Sequence, residues 1–213
     1  MQVERRKPRT ARVGVFGVGL DVYWGQFPGL LDELTGYQTE FEGMLRQREV
    51  EVVGFGMVDN AQRAYEVLPR IKAADLDLLF IDMLTYATSS TFGIIARELD
   101  IPIVLVALQP KSRLDYDNAT IYMQLCNDNI CSLPEFTGVA VRMGRKAPQT
   151  IIGTLHNDPV AEAELSRWCN IAKVLHDLKR ARNRAPRQDH PGHRPLPGHR
   201  SGRHRPVELV SCH

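Results

Sequence analysis

The sequence predicts a doubly wound α/β domain in three layers, with helices on both faces of a five-stranded parallel sheet. Three observations carry this. Five short apolar segments alternate with segments of helical periodicity. The apolar segments are continuous runs rather than in–out alternations, as in strands covered on both faces. Glycine, proline, Asx and hydroxyl residues stand at the junctions.

Val13-Gly-Val-Phe-Gly-Val-Gly19 reads as the first strand, leaving into a glycine turn. Residues 28–48 open with Pro28, a normal first-turn residue, and place Leu30, Leu31, Leu34, Phe41, Met44 and Leu45 at helical spacing. Glu51 to Val58 is the second strand, and Asp59-Asn60 cap a helix reaching Ala74. Leu76-Asp-Leu-Leu-Phe-Ile81 is the third strand. Thr88-Ser-Ser-Thr91 caps the helix that ends at Glu98. Ile101 to Leu108 is the fourth strand, with Pro102 confined to its start because proline lacks an N–H. Residues 117–127 are weakly helical and residues 134–142 more clearly so. Thr150 to Leu155 is the fifth strand. Asp158-Pro159 then opens a last helix with Leu165, Trp168, Ile171, Leu175 and Leu178 along it. Five such strands suit the flavodoxin-like order.

Length and composition agree. The 213 residues suffice for one ordinary domain, and 43% apolar with 24% charged residues is close to the globular average. No window approaches a membrane span, and the charged start MQVERRKPRT is not a secretory signal. Four scattered cysteines (Cys126, Cys131, Cys169, Cys212) do not make a disulfide scaffold and fit a reduced, cytoplasmic compartment. Charge is uneven. Residues 1–180 carry 20 Lys and Arg against 23 Asp and Glu, whereas residues 181–213 carry 7 Arg against Asp189 and Glu208. The expected organisation is a disordered arm at 1–10, the α/β domain at 11–180, and a disordered basic tail at 181–213.

Ligands of such sheets bind beyond the carboxyl ends of the strands. The loop after the first strand, Gly17-Val-Gly-Leu-Asp-Val-Tyr-Trp-Gly-Gln-Phe-Pro-Gly29, has Val22 where a dinucleotide fingerprint needs glycine, and lacks the Lys-Ser/Thr of a P-loop. It concentrates Asp21, Tyr23, Trp24 and Gln26. Aromatic faces beside carboxylates and amides suit sugars, whose C–H faces are apolar and whose hydroxyls need partners. The same aromatics also suit a loop that seals the sheet edge, and both readings stand. Asp82 to Thr91 offers hydroxyls that either cap a helix or face a ligand. Gln109 is a hydroxyl reader or a turn brace. Cys126 and Cys131 read as packed thiols, and His156 and His176 as isolated histidines rather than ligands.

Val15-Phe-Gly-Val-Gly-Leu-Asp-Val-Tyr-Trp-Gly-Gln-Phe-Pro-Gly-Leu30 resembles the start of the L-fucose/L-arabinose isomerase family. So does Asn127-Asp-Asn-Ile-Cys-Ser-Leu-Pro-Glu-Phe-Thr-Gly138, followed by Arg142-Met-Gly-Arg145. The resemblance covers residues 11–180 and is closest to the sugar-isomerase-like branch. It implies a flavodoxin-like amino-terminal domain of a longer aldose–ketose isomerase. It also implies a divalent metal, usually Mn2+, held by later domains, and a homo-oligomer in which this domain contributes substrate contacts. On that reading Asp21, Tyr23, Trp24 and Gln109 are substrate-side positions. The chain itself holds no catalytic residue, metal ligand or cofactor, and is inactive alone. The surface facing the missing domains would be open, with Phe136, Val139, Val141 and Met143 expected on it.

After Lys179-Arg-Ala-Arg182 the composition shifts to Arg, Pro, Gly and His without Lys, Ile, Phe or Tyr. This is the signature of a GC-rich gene read out of frame, and a frameshift near codon 183 is expected. A disordered tail without function, a nucleic-acid-binding tail and a His-rich metal tract are the competing readings. For the body, the rival class is a stand-alone, non-catalytic carbohydrate-binding or sensing module. A phosphoacceptor receiver is disfavoured because Gly17-Val-Gly19 replaces its acidic pair. No membrane partner is expected, and nucleic acid is disfavoured.

Overall fold

The computed structural model describes residues 10–184, with side chains to residue 179. Its strands are β1 (Arg12–Val18), β2 (Glu51–Val58), β3 (Leu78–Met83), β4 (Ile103–Gln109) and β5 (Gln149–Thr154). Its helices are α1 (Leu30–Arg46), α2 (Ala61–Ala73), α3 (Ser89–Glu98), α4 (Ile121–Leu125), α5 (Leu133–Arg142) and α6 (Pro159–Arg184). All strand pairs are parallel and the order is β2-β1-β3-β4-β5, the flavodoxin-like order expected. Among the described residues no helix is long and apolar enough to cross a membrane.

Strand alternation divides the core. Phe16, Val18, Leu79, Ile81, Met83, Leu105 and Ala107 face α2, α3 and α5, where Phe92 and Phe136 stack at 5.0 Å. Val13, Val15, Leu78, Phe80, Val104, Val106 and Ile151 face α1 and α6. A third cluster caps the carboxyl ends of the strands. It joins Leu30, Leu34, Leu84, Leu125 and Cys126 to the rings of Tyr23, Trp24, Phe27, Tyr37 and Tyr122.

Several expectations are corrected. β3 starts two residues later than expected and continues to Met83, so Asp82 lies inside the strand, paired in register with Gly17 and Val106. Pro28-Gly29 form the turn ahead of α1, with Gly29 at φ 86°, a conformation that favours glycine. Phe136 is fully buried, and Val139 and Met143 pack against the same core, because α5 turns that side onto α3. Only Val141 of that set is open. α6 runs to Arg184, past the composition break at 180. The arm at 1–9 and the tail at 185–213, with its five histidines, lie outside the described residues.

Candidate functional site

Three loops meet at the carboxyl edge of the sheet: the one after β1, the one after β3, and the one between α4 and α5. The first forms a short 3-10 turn over Asp21–Tyr23. The third holds Asn127 to Ser132. The Tyr23 phenol lies near enough to Asp128, Cys131 and Tyr86 to feel their charges, and burial, followed by these neighbours, raises its pKa. The two stretches that carry the family resemblance, a hundred residues apart, are therefore neighbours in space.

The four predicted substrate-side residues take different parts. Asp21 is exposed, and its Oδ2 accepts from Asn60 Nδ2 at 3.0 Å. Tyr23 packs edge-on against Phe27, with centroids 6.2 Å apart. Trp24 donates its indole N–H to Asp59 Oδ2 at 2.7 Å. Its ring lies on Gly19, where a Cβ would come within 2.8 Å of it. Gln109 donates from Nε2 to the Asn127 carbonyl at 2.9 Å. Trp24 and Gln109 thus brace loops, while Asp21 and Tyr23 line the rim.

Local capping follows chemistry the sequence only partly showed. Asn60, not Asp59, caps α2, its Oδ1 accepting from Arg63 N at 2.8 Å. Asp59 is turned to Trp24 instead. The Thr88 side chain does not cap α3. Glu135 Oε1, from α5, accepts the Ser89 N–H at 2.8 Å, and Ser132 Oγ accepts the Ala87 N–H at 2.9 Å. The loop after β3 is thereby held by the motif around residue 132 rather than by its own hydroxyls.

Behind the rim, Glu33 accepts from the phenols of Tyr37 (2.6 Å) and Tyr122 (2.8 Å). Tyr37, chiefly, holds the Glu33 carboxyl below its ordinary range, with help from Tyr122 and Cys126. The Cys126 thiol is pushed up to about 12, first by burial and then by Glu33, so it is inert as a nucleophile at neutral pH. Cys131 is pushed up to about 11, again mainly by burial.

Beneath the rim lie polar side chains whose burial the sequence does not show. Thr85 Oγ1 and Asn129 Oδ1 are buried without a hydrogen-bond partner among the described residues. Between α1 and the sheet, Asp82 Oδ2 and Gln38 Oε1 are in the same condition. A Cβ on Gly17, the register partner of Asp82, would stand 2.7 Å from Gln38 Oε1. Burial, then the charge of Glu42, pushes the Asp82 carboxyl up to about 8. Gln38 Nε2 points at Glu42 Oε1 (3.4 Å) and Gly56 O (3.5 Å). No pattern in one sequence marks such a carboxyl, since an aspartate at a strand end reads equally as loop.

Among the described residues no three His, Cys, Asp or Glu side chains converge to hold a metal ion. The divalent cation implied by the resemblance has no ligand set among the described residues. Compared with protein-family models and with curated proteins, the sequence has no match.

Proposed function

We propose that residues 11–180 form the amino-terminal domain of a sugar aldose–ketose isomerase-like protein of the L-arabinose/L-fucose type, with no metal ligand set among the described residues and inactive alone. One observation carries the reading. The two family-like stretches, residues 15–30 and 127–138, converge on one rim at the carboxyl edge, where Tyr23 faces Asp128 and Cys131. Ligands of open α/β sheets bind at this edge.

The chemistry of this rim is binding and orientation. The exposed Asp21 carboxylate accepts hydrogen bonds from sugar hydroxyls. The Tyr23 ring offers an apolar face to sugar C–H groups, and its phenol a donor. Trp24 and Gln109 contribute by fixing the loops that present those groups.

Ketose formation from L-arabinose and L-fucose by the purified full chain with Mn2+ tests inactivity. The expected yield equals the protein-free control, and ketose above it overturns the reading. The frameshift expected near codon 183 is tested by resequencing the gene from codon 178. The expected result is an alternative frame that stays open and encodes Glu and His metal ligands.

A stand-alone carbohydrate-binding module is the second reading. It is favoured by the closed cores on both faces of the sheet, which a self-sufficient domain needs. Emission of Trp24 in a Trp168→Phe chain, titrated with aldoses and ketoses, separates the two. Saturation well below millimolar sugar supports the module. Change without saturation is what the isomerase-domain reading predicts.

A further inference from the structure

The sheet has two edges, and they are finished differently. β2 carries Glu51, paired with Arg12 at 3.0 Å. Its register with β1 shifts between Val15 and Gly17, and its Gly56 sits at φ 76°. Charge and irregularity are the usual means of blunting a free edge. β5 has neither. Gln149-Thr-Ile-Ile-Gly-Thr154 holds no charged residue and no proline, and pairs with β4 in unbroken register along its whole length. Among the described residues no strand occupies its outer side. Ile151 is buried under α6, but Ile152 points to the other face at 53% exposure, and the core beneath α2, α3 and α5 includes no β5 residue.

The neighbouring helix continues this surface. Ser166 and Lys173 of α6 reach Arg48 and Glu49, just beyond α1, at 3.1 and 3.3 Å. Trp168, Ile171, Leu175 and Leu178 lie on the opposite flank by helical spacing, the flank toward β5. Trp168 and Gln149 line one cleft, which fixes that direction. An uncapped strand and an apolar helix flank thus adjoin.

We propose that this surface binds a second copy of the chain about a two-fold axis, with β5 pairing antiparallel to β5 of the partner. Self-pairing of β5 opposes no like charges, whereas self-pairing of β2 would add glutamates to its edge. The helix charges fit the same axis. A Cβ on Gly153 would stand 3.0 Å from Ala161 Cβ, so α6 starts over that residue. Four residues on, at Leu165, α6 has advanced about 6 Å, roughly two strand residues, and stands beside Ile151. An axis there places Glu164 against Arg167 of the partner, and Arg167 against Glu164 of the partner. Within one chain these two are 3.5 Å apart, with Arg167 mostly exposed and Glu164 half-buried. The same axis sets Thr150 opposite Ile152 of the partner on the uncovered face, a favourable β-branched cross-strand pair. A strand pair alone is smaller than a stable dimer interface of about 1,200–2,000 Å²; the α6 flank supplies the remainder. The proposal is independent of the sugar reading.

Sedimentation equilibrium of the full chain tests it. The expected species is twice the 24.1 kDa chain mass. Ile152→Lys is expected to raise the dimer Kd about 100-fold or more, with circular dichroism unchanged and melting unchanged at concentrations where both chains are monomeric. Glu164→Arg alone is expected to weaken the dimer about 10-fold, and Glu164→Arg with Arg167→Glu to restore it. A monomer at the highest attainable concentration overturns the proposal. So does a dimer indifferent to Ile152→Lys, which would place the contact elsewhere, the tail included. A double variant no tighter than Glu164→Arg overturns the axis.

Discussion

Asp77 and Asp82 stand at opposite ends of β3, both buried, at 2% and 3% exposure, and their surroundings are opposite. Asp77 is fully partnered. Its Oδ2 accepts the Arg12 N–H and His176 Nδ1–H, each at 2.9 Å, and its Oδ1 accepts from Lys179 Nζ at 3.1 Å. One carboxylate thus ties β1, β3 and the far half of α6 together at the amino edge. Asp82 faces a glycine, an amide oxygen and another carboxylate, and stays protonated into the neutral range. At the amino edge the Asp77 carboxylate is spent on cohesion, and of its partners only His176 Nε2 is buried without a hydrogen bond among the described residues. Toward the carboxyl edge Asp82 Oδ2, Thr85 Oγ1 and Asn129 Oδ1 are all buried without one among the described residues, at the edge where ligands of open α/β sheets bind.

Removing Asp77 should break the satisfied end most severely. Asp77→Ala is expected to cost about 3 kcal/mol in urea denaturation at pH 7, because it strands a buried N–H and His176. A loss under 1 kcal/mol, about the worth of one ordinary hydrogen bond, would mean the network is ornamental.

Asp82→Asn should act in the other direction. The folded-state pKa of Asp82 is raised above its unfolded value, so the folded chain binds the extra proton between about pH 4 and 8. Burial of this group therefore costs nothing below pH 4, an increasing amount as pH rises, and its full amount above pH 8. The amide cannot ionise. The variant is expected to gain about 2 kcal/mol at pH 8, to gain little at pH 4, and to flatten the stability profile between them. Equal stability of the two chains at pH 8 would refute the assignment.

Tyr122→Phe deletes one of two phenol donors on Glu33 and is expected to cost about 1 kcal/mol. Thermal denaturation would show it, with a rise in the Glu33 pKa visible by carboxyl NMR. The smallest effect belongs to Thr85→Val. The hydroxyl has no partner to lose, so stability is expected to hold or to rise by up to about 1 kcal/mol. A loss above that would reveal a partner for Oγ1 and narrow the contrast between the two ends of β3.

Much of the architecture was legible because hydrophobic periodicity is a local property. The apolar runs at 13–19, 51–58 and 101–108 became β1, β2 and β4 nearly in place, and their order followed from the parallel pattern. The β3 boundary slipped because Asp77 and Asp82 flank and interrupt its apolar run, and only tertiary contacts say which aspartate belongs to the strand. The rim was legible as composition and not as geometry. Asp21, Tyr23, Trp24 and Gln109 were all found at the carboxyl edge, yet nothing local shows that Trp24 spends its N–H on Asp59, or Gln109 its amide on Asn127. Those partners lie 35 and 18 residues away. His176 was read as isolated for the same reason, its carboxylate lying 99 residues earlier.

Asn127 also closes a loop. Its Oδ1 accepts the Lys111 N–H at 2.9 Å, its Nδ2 donates to the Lys111 carbonyl at 3.1 Å, and its own carbonyl takes the Gln109 amide. The excursion from 111 to 127 thus leaves and rejoins the body through one side chain. Chain length added inside a loop whose ends are already fastened adds little entropy, about 0.6 kcal/mol per doubling. The exposed stretch from Arg113 to Asn118, clear of the packed Tyr122 and Leu125, is therefore a natural port for grafting. A peptide tag or a small reporter domain inserted there should leave the sheet beneath it undisturbed.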